Sequence, residues 1–146
     1  MKTVVTGQKV VEWVAKHTSE FGNYGAAVGI GLEHDKRLIA GVVFNEYNGA
    51  NIQMHVASDG SRSWMNKEYL WFCFYYPFEQ AKVNRITTVV ASSNVRAAEF
   101  NRHIGFTEET RLKDAHPDGD LIVFRMFKSE CRWLNRREQY EQKLAA

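Results

Sequence analysis

Residues Ser93–Phe106 read SNVRAAEFNRHIGF, and the reading of this stretch decides the fold. A side-chain oxygen on Ser93 or Asn94 can cap the start of a helix. Ala97, Phe100 and Ile104 stand at i, i+3 and i+7, so they share one helix face. Gly105 sits where a helix leaves through a left-handed residue. Phe106 then opens a strand. A structural helix alone satisfies all of these features.

Working outward, RITTVVA before this stretch is β-branched and predicts a strand. After it, FTEETRLKDA and DLIVFRMF read as two strands joined by the turn-rich HPDGD. At the other end, KTVVT is a short first strand closed by Gly7. QKVVEWVAKHT carries Val10, Val11, Trp13 and Val14 as a one-sided stripe, which predicts a helix ending near Phe21 and Gly22. AAVGIGLEH, LIAGVVFNEY and IQMHVAS form an antiparallel meander, with NGAN as a turn between the last two. In IQMHVAS, Ile52, Met54 and Val56 face one way, and Gln53, His55 and Ala57 the other. WMNKEYLWFCFYYPFEQAK is long enough for a helix, buried on much of its surface and disturbed near Pro77. SECRWLNRREQYEQKL predicts a last helix anchored by Trp133 and Leu134. A strand–helix–strand unit inside a meander implies a mixed sheet with helices on both faces.

The bulk properties narrow the class. A chain of 146 residues with 45% apolar and 13% aromatic content builds one domain and is not disordered. Its net charge of +2 is too small to argue for nucleic acid. Arg132, Arg136, Arg137 and Lys143 cluster near the C-terminus and read as a solvated helix face. Cys73 and Cys131 have neither metal nor redox spacing, which suits a reducing cytoplasm. The N-terminus lacks the pattern of a secretory signal, and no apolar run is long enough to cross a bilayer, so no membrane partner is expected. The histidines show no HxH or HxxH spacing, so no metal is expected. Neither a Ser–His–Asp grouping nor a phosphate-binding fingerprint is present. YLWFCFYYPF lacks interleaved basic residues and reads as core. Tyr75 and Tyr76 cannot both be buried without partners, which points one of them towards a cleft.

The Ser93–Phe106 stretch resembles the Asn-x-x-Ala-x-x-Phe-Tyr-x-x-x-Gly-Phe segment of the GNAT acetyltransferase superfamily. The element order from Met1 to about Phe127 resembles the same family. GVVFNEYNGANIQMHVAS further resembles a compact subgroup met in bacteriophages and proteobacteria. The resemblance implies an α/β (α+β) fold: a mixed, mostly antiparallel twisted sheet with helices on both faces and a splayed central strand pair. Residues 1–128 would form the acyltransferase domain, and 129–146 a helical extension of it.

The implied activity is acetyl transfer from acetyl-CoA, as co-substrate, to a primary amine by direct attack in a ternary complex. The acceptor would be a small molecule or a protein amine. No nucleic-acid partner is expected, and a homodimer is compatible with the resemblance. The pantetheine arm would lie between Asn51–Ala57 and Arg85–Ala91, with Val56 and Ala57 offering backbone groups. Gly60, Ser61, Arg62 and Ser63 would hold phosphate, and Asn94 and Phe100 would border the cofactor. His55 is the first candidate for the base, against a hydrogen-bonded strand histidine of equal weight. Glu46 is a second base or a grip for a cationic substrate, although a solvated strand-end carboxylate is commoner. His116 and Asp118 read as loop residues.

Two departures from the family pattern stand out. SDGSRSWMN lacks the spacing of the family's Arg/Gln-x-x-Gly-x-Gly/Ala loop, and an inward Asp59 would repel phosphate. The family's Tyr that protonates the leaving thiolate aligns with Asn101, which cannot act as an acid. Tyr75, Tyr76, His103 or water would have to substitute. These departures motivate an alternative: a non-catalytic GNAT-like binding module, for instance a phage component that contacts a host or virion protein.

Overall fold

A computed structural model of the chain describes residues 1–18, 24–60, 64 and 66–134. The clean alternation at IQMHVAS becomes the middle of a seven-stranded sheet. In chain order the strands are β1 (Lys2–Thr6), β2 (Val28–His34), β3 (Arg37–Asn45), β4 (Asn51–Ser58), β5 (Arg85–Ala91), β6 (Thr107–His116) and β7 (Gly119–Phe127). Their order across the sheet is β1-β2-β3-β4-β5-β7-β6, and only β4 and β5 run parallel. A parallel pair needs a crossover, which α2 (Lys67–Tyr75) supplies. The expected mixed sheet is therefore present, with helices on both faces.

One face carries α1 (Gln8–His17), whose Val10, Val11 and Val14 pack on Val43 and Ala57. Glycines let it sit close. A Cβ at Gly41 would lie 2.5 Å from Val14 Cγ2, and one at Gly31 would lie 2.9 Å from Val10 Cγ2. The helix stops at His17 because Thr18 is extended, so it is shorter than its apolar stripe suggested. Phe21 and Gly22, where its end was expected, lie outside the described residues.

The opposite face holds α2 and α3 (Val95–Ile104). Leu70, Cys73, Phe74, Ala98 and Ile104 close over Ile52, Met54, Ile86, Phe124 and Met126. Burial pushes the Cys73 thiol up to about 12, which leaves it an inert core residue. Beyond Tyr75 the helix widens into a π turn over Tyr76–Gln80, closed by Ala81 N–H to the Tyr76 carbonyl at 2.9 Å. Pro77 has no N–H to give, so the disturbance falls where the sequence indicated.

At α3, Asn94 Oδ1 accepts from Ala97 N–H at 3.2 Å, and Gly105 takes the left-handed exit with φ 115°. The expected last helix is replaced, within the described residues, by two short turns at Lys128–Glu130 and Arg132–Leu134. The reason lies at the end of α3, whose final carbonyls lack helical partners. Trp133 Nε1 donates to the Ile104 carbonyl at 2.7 Å, and Arg132 donates to that of His103. Trp133 and Leu134 pack on the core as anchors. Arg136, Arg137 and Lys143 lie outside the described residues.

The far edge is β6, exposed along its length except for the half-buried His116. Its Glu108 accepts from both Arg111 and Arg102 at 3.1 Å. The Arg111 guanidinium above all holds this carboxyl below the usual carboxylate range.

Candidate functional site

Strands β4 and β5 pair only at Asn51 with Arg85, Ile52 with Ile86 and Gln53 with Thr87. This closed end is reinforced by side chains. Thr87 Oγ1 donates to Asn51 Oδ1 at 2.6 Å, and Arg85 Nε donates to Thr87 Oγ1 at 3.2 Å. Glu109 then bridges Arg85 at 2.8 Å and Arg125 at 3.2 Å.

Past Gln53 and Thr87 the two strands part. β4 stays with β3 as far as Ser58, and β5 stays with β7 as far as Ala91. Three bonds fix which residues look which way on β4. Asp59 N–H donates to the Ile39 carbonyl, and the Ala50 carbonyl accepts from Asn84 and Arg85. By strand alternation, Val56 therefore turns its N–H and C=O towards β5. On β5, Lys128 N–H reaches the Asn84 carbonyl and Ser92 N–H reaches that of Asp120, so Val89 turns its backbone towards β4. The result is a gap lined by backbone groups that no strand pairs among the described residues. Ala57 differs from expectation. Its backbone is turned towards β3 and its methyl is buried under α1, so it offers nothing to the gap.

His55 stands on the α1 face of β4, opposite Val43. Asn45, buried at the end of β3, uses its amide nitrogen to donate to the Tyr24 carbonyl at 3.1 Å. Its Oδ1 is left to accept from His55 Nε2 at 2.9 Å. The network therefore assigns the proton to Nε2 and the lone pair to Nδ1. The Tyr24 ring lies against the imidazole, with centroids 4.6 Å apart. Burial lowers the His55 pKa and favours the neutral, basic form. Sequence reasoning missed Asn45 and Tyr24. The available signal was a lone amide closing an otherwise apolar strand, LIAGVVFN.

Of the other two expected catalytic residues, Tyr76 is not brought to His55. Tyr76 lies on the opposite face against Phe44, with ring centroids 5.3 Å apart. Burial first, and Tyr47 second, raise its pKa and make it a weaker acid. Glu46 is exposed just beyond β3, in a left-handed conformation with φ 54°.

Of the expected phosphate loop, Gly60 is exposed with φ 94°, and its N–H donates to Ser58 Oγ at 3.2 Å. Ser61, Arg62 and Ser63 lie outside the described residues. Asn66 caps α2 by accepting from Tyr69 N–H at 2.7 Å. Asn94 commits its Oδ1 to capping α3. Phe100 is half-buried against Trp64, 5.3 Å between centroids, and so ties α3 to the start of α2. His116 Nδ1 accepts from Asp118 N–H within the hairpin turn, as loop residues do.

Asn101 is 4% exposed, and its Nδ2 has no hydrogen-bond partner among the described residues. Its direction follows from its neighbours. Phe100 leans to Trp64 at the start of α2, and the Arg102 guanidinium lies over Phe124 of β7. Asn101, between them on the helix, is buried with Ala98 and Ile104 on the face of α3 that closes over the core.

No protein-family model and no curated protein matches the sequence. Solved structures do match. The spermidine/spermine N-acetyltransferase SpeG of Vibrio cholerae, in mutant form, superposes with TM-score 0.71 at 16% identity, over 93% of this chain and 99% of that one. The N-acetyltransferase PseH of Campylobacter jejuni, solved in complex with acetyl coenzyme A, gives 0.56 at 16% identity, over 71% and 70%. A structure described as a probable acetyltransferase gives 0.57 at 20% identity, over 71% and 63%. The expected architecture is thus found in known N-acetyltransferases.

Proposed function

We propose that this chain, whose fold is that of the GNAT acetyltransferases, transfers an acetyl group from acetyl-CoA to a primary amine. The observation that carries the reading is the gap between β4 and β5 beyond Gln53 and Thr87. Unpaired strand groups want partners, and an extended ligand bearing amides can serve as an added strand. Val56 and Val89 would hold such an arm. The buried, unpartnered amide of Asn101 adds a donor beside it. These features fit a pantetheine chain. PseH, with a similar fold, was solved with acetyl coenzyme A.

Acetyl-CoA supplies an acetyl group activated as a thioester. The Val56 N–H polarises its carbonyl. His55, held in one tautomer by Asn45, takes the amine proton on Nδ1 as the amine attacks directly within a ternary complex. Gly60, Ser61, Arg62 and Ser63 hold the phosphates, and Asn94 and Phe100 border the cofactor. Glu46, exposed at the end of β3, grips a cationic acceptor, which is a small-molecule or protein amine. SpeG, named for spermidine and spermine, is a neighbour that acts on amines. Acetyl-CoA dependence fits a cytoplasmic enzyme.

Isothermal titration with acetyl-CoA, with desulfo-CoA as control, tests the reading. Saturable binding followed by turnover in an acceptor screen is expected. No binding at millimolar ligand overturns it. Asn101, in place of an acid, favours one competing reading, a non-catalytic GNAT-like module that binds a protein partner, a phage component being one form. Absence of binding would select it.

A further inference from the structure

Resting on that reading, we infer that Asn101 is the hydrogen-bond donor that receives the departing sulfur, so that the thioester is cleaved without a general acid. A buried amide nitrogen with no partner is costly, because its lost hydration is not repaid. Such a group calls for a ligand or for a reason to be strained. Asn101 Nδ2 is orphaned and lies on the buried face of α3, the helix that follows the parted end of β5. Its backbone is fully employed, since the Asn101 carbonyl accepts from Phe106 N–H at 2.9 Å. Only the side chain is left to act.

An amide donates without giving up its proton. The nitrogen–carbon bond forms as the carbon–sulfur bond breaks, and the electron pair of that bond goes to sulfur. The proton of the attacking amine goes to His55 Nδ1. Asn101 keeps both of its protons and hydrogen-bonds the thiolate, which takes its proton afterwards from water. This route is chemically reasonable because a thiol, with an ordinary pKa of about 8.5, is a far better leaving group than an alcohol. Among the described residues, neither Tyr76 nor His103 is brought to that place as an acid. Tyr76 lies against Phe44 at the closed end, and His103 is exposed on the outer side of α3.

The test compares coenzyme A with desulfo-CoA on the native chain, Asn101→Leu and Asn101→Ser. Above the pH at which the thiol ionises, the native chain should prefer coenzyme A by roughly tenfold or more, the effect of a hydrogen bond to a charged group. The ultraviolet absorbance of the thiolate should show the bound thiol titrating below the free one. Asn101→Leu should lose both signatures, keep its affinity for desulfo-CoA, and unfold at the same or a higher temperature, since it removes an orphaned polar group. Asn101→Ser, with a hydroxyl donor, should recover part of the preference.

A Leu variant that retains the thiolate preference, or that loses stability, would assign Asn101 a structural role and overturn the inference. Equal binding of both ligands by the native chain would overturn it alone and leave the acetyltransferase reading standing. Binding of neither ligand would overturn both.

Discussion

The two halves of the β4–β5 pair share their residue types and differ in their bonding. Ile52 and Ile86 sit in the paired half, while Val56 and Val89 sit in the parted half. Both sets are strong strand formers, so the gap is not a failure of β-propensity. Each parted strand is held extended by its outer neighbour, β3 or β7. What differs is the side-chain lattice. Asn51, Thr87, Arg85, Glu109 and Arg125 lace the paired half together. The parted half carries His55, bonded to Asn45 on the α1 face. A sheet can therefore be closed at one end for stability and left open at the other for a ligand.

The comparison can be broken most sharply at His55. His55→Ala should lower kcat by roughly 10²–10⁴-fold, if the parted half does the chemistry. Undiminished turnover in a steady-state assay would remove His55 as the base. Next in size is the pH dependence. Burial depresses the His55 pKa, so the acid limb of kcat/KM should fall below its ordinary value of about 6.5. The fold also favours the neutral imidazole, so the contribution of His55 to stability is present above about pH 6.5 and lost as the pH falls towards the folded value. His55→Gln should flatten that part of a stability–pH curve measured by denaturant titration.

Smaller effects sharpen the contrast. Gly41→Ala pushes a methyl against Val14 under α1 and should cost about 1–3 kcal/mol in urea unfolding. Thr87→Val cuts the lattice of the paired half and should cost about 1 kcal/mol, or roughly 3 °C in Tm. Val89→Thr, the reverse exchange in the parted half, falls on a side chain 36% exposed and should change stability by less than about 0.5 kcal/mol. Equal costs at Thr87 and Val89 would mean that the two halves are not energetically distinct.

Much of this architecture was legible because it is local. The alternation of IQMHVAS, the Asn94 cap and the Gly105 exit depend on neighbours within a few residues. The parting of β4 and β5 depends on β3 and β7, which pull from opposite sides, and only the family resemblance indicated it. The Asn45–His55 bond joins residues ten apart in sequence across a hairpin, and Asn45 reaches Tyr24 over twenty-one. No window of sequence holds that relay. Asn101 was recognisable as a missing acid, but its orphaned amide becomes evident only once α3 is seated. Where the last helix was expected to start, the chain forms short turns, and Arg132 and Trp133 bond the carbonyls that end α3.

The exposed edge strand β6 bears on how the chain behaves in concentrated solution. An open strand edge invites another copy to add to it, and charge is the usual deterrent. Here Glu108, Glu109, Arg111, Lys113 and Asp114 ride on that edge. Because Glu108 is held ionised by Arg111 and Arg102, acidification should discharge it only below the usual carboxylate range. The protection against fibril-like stacking is thus built to outlast mild acid, and high salt, which screens exposed pairs, is the condition that weakens it.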